Sequence, residues 1–154
     1  MTSNPSPQFL YLPKKQWSPR YEDSFYTVRV EAFQRFEVAP AEIPSALGGN
    51  SHHPCFYFKI ILQRGHTTKE IWRRFSNFQW LYNRVQAAPP RVDEGNSGAD
   101  NPLKLPPGTC WPFQSEQLGE KRVKLLGEFL DDMLCRPGYA NHPSVLTFLE
   151  LSGD

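Results

Sequence analysis

The sequence predicts a single α+β domain in which a three-stranded antiparallel sheet packs on a helical subdomain with a long proline-rich loop. Segments with the alternating apolar pattern of strands occupy the first half of the chain, and segments with helical apolar spacing follow them. Strands grouped before helices are the order of an α+β fold. A chain of 154 residues is long enough for one such domain with its own core.

Three segments have the pattern of strands. The first, FYTVRVEAFQRFEV, begins at Phe25 and places four apolar residues on one side: Tyr26, Val28, Val30 and Ala32. The second, CFYFKIILQ, places four on one face: Phe56, Phe58, Ile60 and Leu62. The short connection RGHT leads into TKEIWRRF, so we expect this third strand to pair antiparallel with the second.

The apolar period changes from strand to helix at Ser76. The residues that follow have i, i+3, i+4, i+7 spacing: Phe78, Leu81, Tyr82 and Val85. Ser76 with Gln79 matches a capping box, so we expect the helix to begin at Ser76. Two more helical segments, SEQLGEKRVKLLGEFLDDMLCRP and HPSVLTFLEL, follow a loop over residues 87 to 113. Loops of this length are often functional.

Composition excludes several function classes. A net charge of +1 argues against a protein that coats nucleic acid. Three widely spaced cysteines, Cys55, Cys110 and Cys135, without a C-x-x-C pair, predict a reducing, cytoplasmic compartment. No apolar run is long enough to span a bilayer, so any membrane contact is expected at the surface. Residues 1 to 22 are predicted to be an extended N-terminal arm and residues 23 to 151 the domain.

Neither catalysis nor a cofactor is predicted. His52, His53 and Cys55 lie close together in a loop, but a tetrahedral metal site needs a further pair of ligands, so we expect a solvated loop. The chain contains no G-x-S-x-G, no Gly-rich phosphate loop and no H-E-x-x-H. We therefore expect a non-enzymatic protein without a metal.

Arg73, Arg74 and Phe75 end the third strand directly before a helix. The start of a helix offers free backbone N–H groups and a positive dipole end, and the planar fork of arginine grips phosphate with two hydrogen bonds. Strand alternation places the two arginines on opposite faces, so we expect only one of them to enter a pocket. These residues alone leave two interpretations open, an anion site or surface arginines paired with glutamates.

The stretch RRFSNFQWL resembles the R-R-Y-S-D-F-x-W-L signature of the phox homology (PX) domain. Other features of that family follow in order: three strands first, a helix directly after the Arg-aromatic pair, a proline-rich loop, an Arg-bearing helix EKRVKLLGEFL and a last helix HPSVLTFLEL. The resemblance covers about residues 24 to 151 and is closest to the sorting-nexin type of PX domain.

The resemblance implies a peripheral membrane module that binds a phosphoinositide, most often phosphatidylinositol 3-phosphate, on endosomal membranes. It assigns Arg74 to the 3-phosphate, Phe75 to the floor under the inositol ring, and Arg122 to the 4- and 5-hydroxyls. Arg73 is left as a supporting or solvated charge. The chain departs from the family in having Phe75 in place of the usual Tyr.

The proline-rich loop departs further from the family pattern. Gly108 and Thr109 lie in LPPGTCW where the family often has a Lys for the 1-phosphate, so Lys104 is the candidate for that contact. This departure favours an alternative function, a PX-fold protein-protein interaction module with weak or no lipid binding.

Apolar residues of the same loop are predicted to enter the membrane interface: Leu103, Leu105 and Trp111. The open alternative is that Trp111 or Phe113 packs in the core. The expected partners are a phosphoinositide-containing membrane and other proteins, but not nucleic acid, and we expect a monomer.

Overall fold

The computed structural model describes residues 9–13, 15–17, 25–47, 54–90, 102–106 and 116–151. Its strands and helices are β1 (Leu10–Tyr11), β2 (Phe25–Phe36), β3 (Cys55–Arg64), β4 (Thr67–Arg74), α1 (Phe75–Ala87), α2 (Glu116–Cys135) and α3 (Pro143–Phe148). The strand order in the sheet is β1-β2-β3-β4, and one face of the sheet shares its core with the helices. The α+β prediction is confirmed.

The antiparallel meander of β2, β3 and β4 forms as predicted. Gly65 has a φ of 56°, which the tight turn between β3 and β4 requires and which glycine adopts without strain. Three of the four residues predicted on the inner face of β3 are buried, with Phe58, Ile60 and Leu62 each at most 3% exposed, while Phe56 at the start of the strand is partly exposed. Alternation along this strand therefore predicts its core face correctly.

The middle of β2 differs from the prediction because it contains a bulge. The pairing of β2 with β3 shifts its register between Val30 and Ala32, so that Glu31 is an extra residue. Beyond the bulge, Phe33 lies opposite the core residue Phe58 and packs against the core. The prediction that Ala32 continues the inner face is wrong, since one extra residue reverses the alternation.

A fourth strand, β1, joins the sheet from the predicted N-terminal arm. Leu10 and Tyr11 pair in parallel with the start of β2, and Phe9 is buried in the core. The Phe9 N–H donates to Asn141 Oδ1 at 3.0 Å. The described part of the arm is thus packed on the domain, and a two-residue strand is too short for its pattern to be recognised in the sequence.

The helices bury the stripes that their spacing predicts. In α1, Phe78, Leu81 and Val85 are 0–1% exposed, and the central apolar residues of α2 are equally buried. Pro143 occupies the first turn of α3, and His142 Nδ1 accepts a hydrogen bond from the Ser144 N–H at 3.0 Å. His142 therefore caps this helix, as the oxygen of Ser or Asp does elsewhere.

Candidate functional site

The strand β4 passes into α1 without an intervening loop, at Arg74. Arg74 is the N-cap of α1, and its N–H donates to the Asn77 side-chain oxygen at 2.9 Å. The prediction that Ser76 and Gln79 cap the helix is wrong, because the helix begins one residue earlier and Asn77 supplies the cap. Ser76 Oγ is buried and makes no hydrogen bond to the part of the chain that the structure describes.

Arg73 is one of the most buried large side chains of the described residues, at 1% exposed. Its Nε and one terminal nitrogen donate to the Phe148 carbonyl at 3.0 and 2.7 Å, and the same nitrogen contacts Glu150 Oε2 at 2.8 Å. Burial lowers the pKa of Arg73, and Glu150 opposes that effect. The interpretation of Arg73 as a solvated charge is therefore wrong, because its side of β4 faces α3 and the side chain is enclosed.

The arginine closes the C-terminal end of α3. Leu151 N–H donates to the Leu146 carbonyl at 2.8 Å and Glu150 N–H to the Thr147 carbonyl at 3.1 Å, which is the Schellman pattern. Glu150 has a φ of 58°, a left-handed conformation usually taken by glycine. The ion pairs of Glu150 with Arg73 and with Lys69 hold it there. Arg73 thus anchors the end of β4 to the end of α3.

The ring of Phe75 and the guanidinium of Arg122 are in contact. Arg122 Cζ lies 4.4 Å from the centre of the ring, within range for a cation–π interaction. Arg122 is 7% exposed, and Phe75 is partly buried against the core. The structure therefore brings together two residues that lie 47 positions apart in the sequence, both assigned to the headgroup by the family resemblance.

A second contact between the same helices repeats this arrangement. Tyr82 and Phe129 pack with ring centres 6.2 Å apart, and each lies seven residues beyond its counterpart in the Phe75–Arg122 pair. Seven residues advance a helix by about 10 Å. The two contacts therefore advance along α1 and α2 in the same direction, and the first of them places Arg122 beside the start of α1.

Arg74 is partly exposed, and its side chain interacts with the neighbouring strand. Tyr57 is its direct partner across β3 and β4, and the two side chains are hydrogen-bonded. Burial raises the pKa of Tyr57, and the charge of Arg74 opposes that effect. No motif in the sequence marks Tyr57, although counting back from the turn at Gly65 places it opposite Arg74.

The described part of the proline-rich loop, residues 102–106, is attached to α1. The Tyr82 hydroxyl donates to the Leu103 carbonyl at 3.4 Å, and Leu103 is 5% exposed within the core. The prediction that Leu103 enters a membrane is wrong, because its side chain is enclosed by the domain. Leu105 packs partly buried on the core, while Lys104 between them is exposed.

Several predicted features lie outside the described residues, namely Trp111, Phe113, Gly108, Thr109, His52 and His53. Within the described ranges, no group of three His, Cys, Asp or Glu side chains is placed to hold a metal ion. Among the same residues, no helix has the length and apolar character needed to cross a bilayer.

Comparison with known proteins connects this architecture to one family. The sequence model of the PX domain family matches residues 62–152. This range contains Arg74, Phe75, Lys104 and Arg122. None of the curated proteins matches the chain by sequence.

Solved structures resemble the fold. One of them, the X-ray structure of a designed CISK-PX domain, has a TM-score of 0.55 and 24% sequence identity. The likeness covers 79% of this chain and 95% of that domain, and at this identity it concerns the fold alone. The family model spans more than half of the chain and the fold agrees with it, so the chain belongs to the PX domain family.

Proposed function

We propose that this domain binds the headgroup of phosphatidylinositol 3-phosphate and so attaches its host to endosomal membranes as a peripheral, non-enzymatic module. Membership of the PX family supports phosphoinositide binding in general. The observation that carries the proposal here is the stack of Arg122 on Phe75, directly beside Arg74 at the start of α1.

Each of these three residues has a distinct task in the proposal. Arg74 grips the 3-phosphate through its planar fork, at a helix start whose positive dipole end favours an anion. Phe75 offers an apolar ring surface to the inositol. Arg122 donates to the 4- and 5-hydroxyls, and its contact with the ring restricts the guanidinium before any ligand arrives. Less side-chain freedom is then lost on binding.

Lys104 is the proposed contact for the 1-phosphate. Lys104 is exposed and follows Leu103, whose carbonyl accepts a hydrogen bond from the Tyr82 hydroxyl of α1. Tyr82 lies seven residues beyond Phe75 in the same helix. A lysine in this setting acts as a mobile point charge rather than as a rigid fork. We therefore expect Lys104 to add affinity for any phosphorylated headgroup and little selectivity.

Leu105 and Trp111 remain the proposed membrane contacts of the proline-rich loop, now without Leu103. Tryptophan favours the interface between headgroups and acyl chains, where its ring is apolar and its N–H stays hydrated. Leu105 is partly buried, so in this proposal it contributes only the part of its side chain that the core leaves open.

A sedimentation assay with liposomes that each carry one phosphoinositide tests the proposal. We expect binding to phosphatidylinositol 3-phosphate and its loss, by tenfold or more, in Arg74→Gln and in Arg122→Gln. Arg84→Gln removes one charge from an exposed position of α1 and is expected to bind like the unaltered chain.

The alternative is a PX-fold protein-interaction module, which Gly108 and Thr109 favour because they stand where the family often has a lysine. In the same assay, absence of binding to every phosphoinositide at physiological salt would reject the lipid proposal and leave this alternative. Binding that Arg74→Gln and Arg122→Gln leave intact would reject the proposed site.

A further inference from the structure

We infer that Tyr57 is a positioning residue for Arg74, whose guanidinium it holds so that the remaining N–H groups face a phosphate. The inference rests on the proposed function, in which Arg74 is the phosphate ligand. Tyr57 is buried, so the inference assigns it no contact of its own with the ligand.

The register of the sheet brings the two side chains together. Tyr57 and Arg74 lie directly opposite each other at the last pair of β3 and β4. Opposite residues of an antiparallel pair share one face, with Cβ atoms about 5 Å apart. The Arg74 guanidinium donates a hydrogen bond to the Tyr57 hydroxyl. The turn at Gly65 determines this pairing, because it sets the register of the whole hairpin.

Neighbouring side chains enclose the ring of Tyr57 and restrict its movement. The side chain is 1% exposed, and the Phe36 ring packs edge-on against it with centres 5.7 Å apart. The Tyr57 hydroxyl is also hydrogen-bonded to the Cys55 thiol, two residues earlier on the same face. Burial raises the pKa of Cys55, which keeps the thiol protonated at neutral pH. The hydroxyl is thus a fixed acceptor for Arg74.

Both ends of Arg74 are then defined. Asn77 holds its backbone N–H at the start of α1, and Tyr57 holds its guanidinium. A guanidinium has five N–H donors, so a bond to one hydroxyl does not exhaust its capacity to bind a phosphate. Because the arginine is already ordered, less conformational freedom is lost when the headgroup binds.

A double-mutant cycle tests the inference. The affinities of the unaltered chain, Tyr57→Phe, Arg74→Gln and the double variant for a soluble short-chain phosphatidylinositol 3-phosphate are measured by calorimetry. Tyr57→Phe removes only the hydroxyl, and we expect it to weaken binding roughly three- to tenfold. In the Arg74→Gln background the same change is expected to have no effect, because Tyr57 acts through Arg74.

Tyr26→Phe is the matched control. It removes the hydroxyl of another fully buried tyrosine, which donates a hydrogen bond to the Ala140 carbonyl at 2.9 Å. Tyr26 lies at the start of β2, at the opposite end of the β2–β3 pair from Tyr57. Thermal unfolding of all variants separates stability from binding. We expect Tyr26→Phe to lower the melting temperature and to leave the affinity unchanged.

Four outcomes would overturn the inference. Tyr57→Phe binding like the unaltered chain, while Arg74→Gln loses binding, rejects the positioning role and leaves the proposed function intact. Equal losses from Tyr57→Phe with and without Arg74 indicate a merely structural effect. Unchanged binding of Arg74→Gln, or no binding by the unaltered chain, rejects the proposed function and the inference with it.

Discussion

Arg73 and Arg74 are neighbours in the chain, yet the structure gives them opposite environments. Arg73 is enclosed and bonded to the end of α3, while Arg74 is partly exposed at the start of α1. The cause is strand alternation, which sends consecutive side chains to opposite faces of β4. In the proposed function, loss of lipid binding after substitution has a different meaning at each position, since Arg73 is enclosed and Arg74 is partly exposed.

Arg73→Gln is expected to destabilise the fold. It removes charge-assisted bonds to the Phe148 carbonyl and to Glu150 from a buried position, so we expect the free energy of unfolding to fall by about 2–4 kcal/mol. Urea denaturation measures this change. The control Arg136→Gln breaks an exposed pair with Asp132 and should cost less than about 1 kcal/mol. Similar midpoints for both variants would contradict the anchoring role.

Glu150 makes the stability of this anchor dependent on pH. Burial alone would raise the pKa of Glu150, but the hydrogen bonds and charges of Arg73 and Lys69 outweigh it, so the pKa lies below its ordinary value of 4.5. The folded state therefore binds fewer protons than the unfolded state. This contribution to stability is complete above about pH 4.5 and is lost as the pH falls through the folded pKa.

Glu150→Gln should therefore reduce the loss of stability that acidification causes. The melting temperature measured from about pH 6 down to about pH 3 tests this, because that range extends roughly one to two units on either side of the carboxyl pKa. Glu128→Gln, on the exposed side of α2, serves as the control with the same chemical change. If the two variants lose stability in parallel on acidification, Glu150 is not the titrating partner of the anchor.

The helix α2 packs closely on β2 at Gly119 and less closely at Gly127. A Cβ built on Gly119 would overlap the ring of Phe33, which is itself packed against Phe56 with centres 5.3 Å apart. A Cβ on Gly127 would lie 3.9 Å from Val30, an ordinary contact. At the start of α2, one turn before Arg122, Gly119 therefore allows a close approach to Phe33 that a larger residue would disturb.

Substitution by alanine should change the free energy of unfolding differently at the two glycines. Gly119→Ala is expected to lower the free energy of unfolding by about 1–3 kcal/mol, because the Phe33 ring has to move. Gly127→Ala is expected to be neutral or stabilising by up to about 1 kcal/mol, through helix propensity. Chemical denaturation of the pair measures both. A stable Gly119→Ala would show that α2 can shift away from β2 freely.

At the scale of the whole molecule, the net charge of +1 provides little general attraction to an acidic membrane. Binding in the proposed function depends on a few placed groups rather than on total charge. We expect vesicles of phosphatidylserine without phosphoinositide to leave the protein in the supernatant at physiological salt, and added phosphatidylinositol 3-phosphate to bring it down. Equal sedimentation with both vesicles would point to non-specific adsorption.

Much of the fold and part of the candidate site could be predicted from local pattern. Alternation and helical spacing are properties of neighbouring residues, so the antiparallel meander, the three helices and the core faces of β3, α1 and α2 follow from them. Arg74 and Phe75 stood out because a cation and a ring meet where the period changes. Arg122 was found through its match to a family pattern, and no local feature distinguishes it from Lys121 or Lys124.

Sequence pattern alone is enough to predict the class of the domain, its order of elements and the two adjacent residues at the start of α1. The tertiary structure decided which side chains are enclosed: Arg73 and Leu103 inside, Lys104 outside. It also decided the partners that meet across the chain, Arg122 over Phe75 and Tyr57 beside Arg74. The physical reason is that burial and contact depend on what packs from distant segments, whereas periodicity depends only on near neighbours in the sequence.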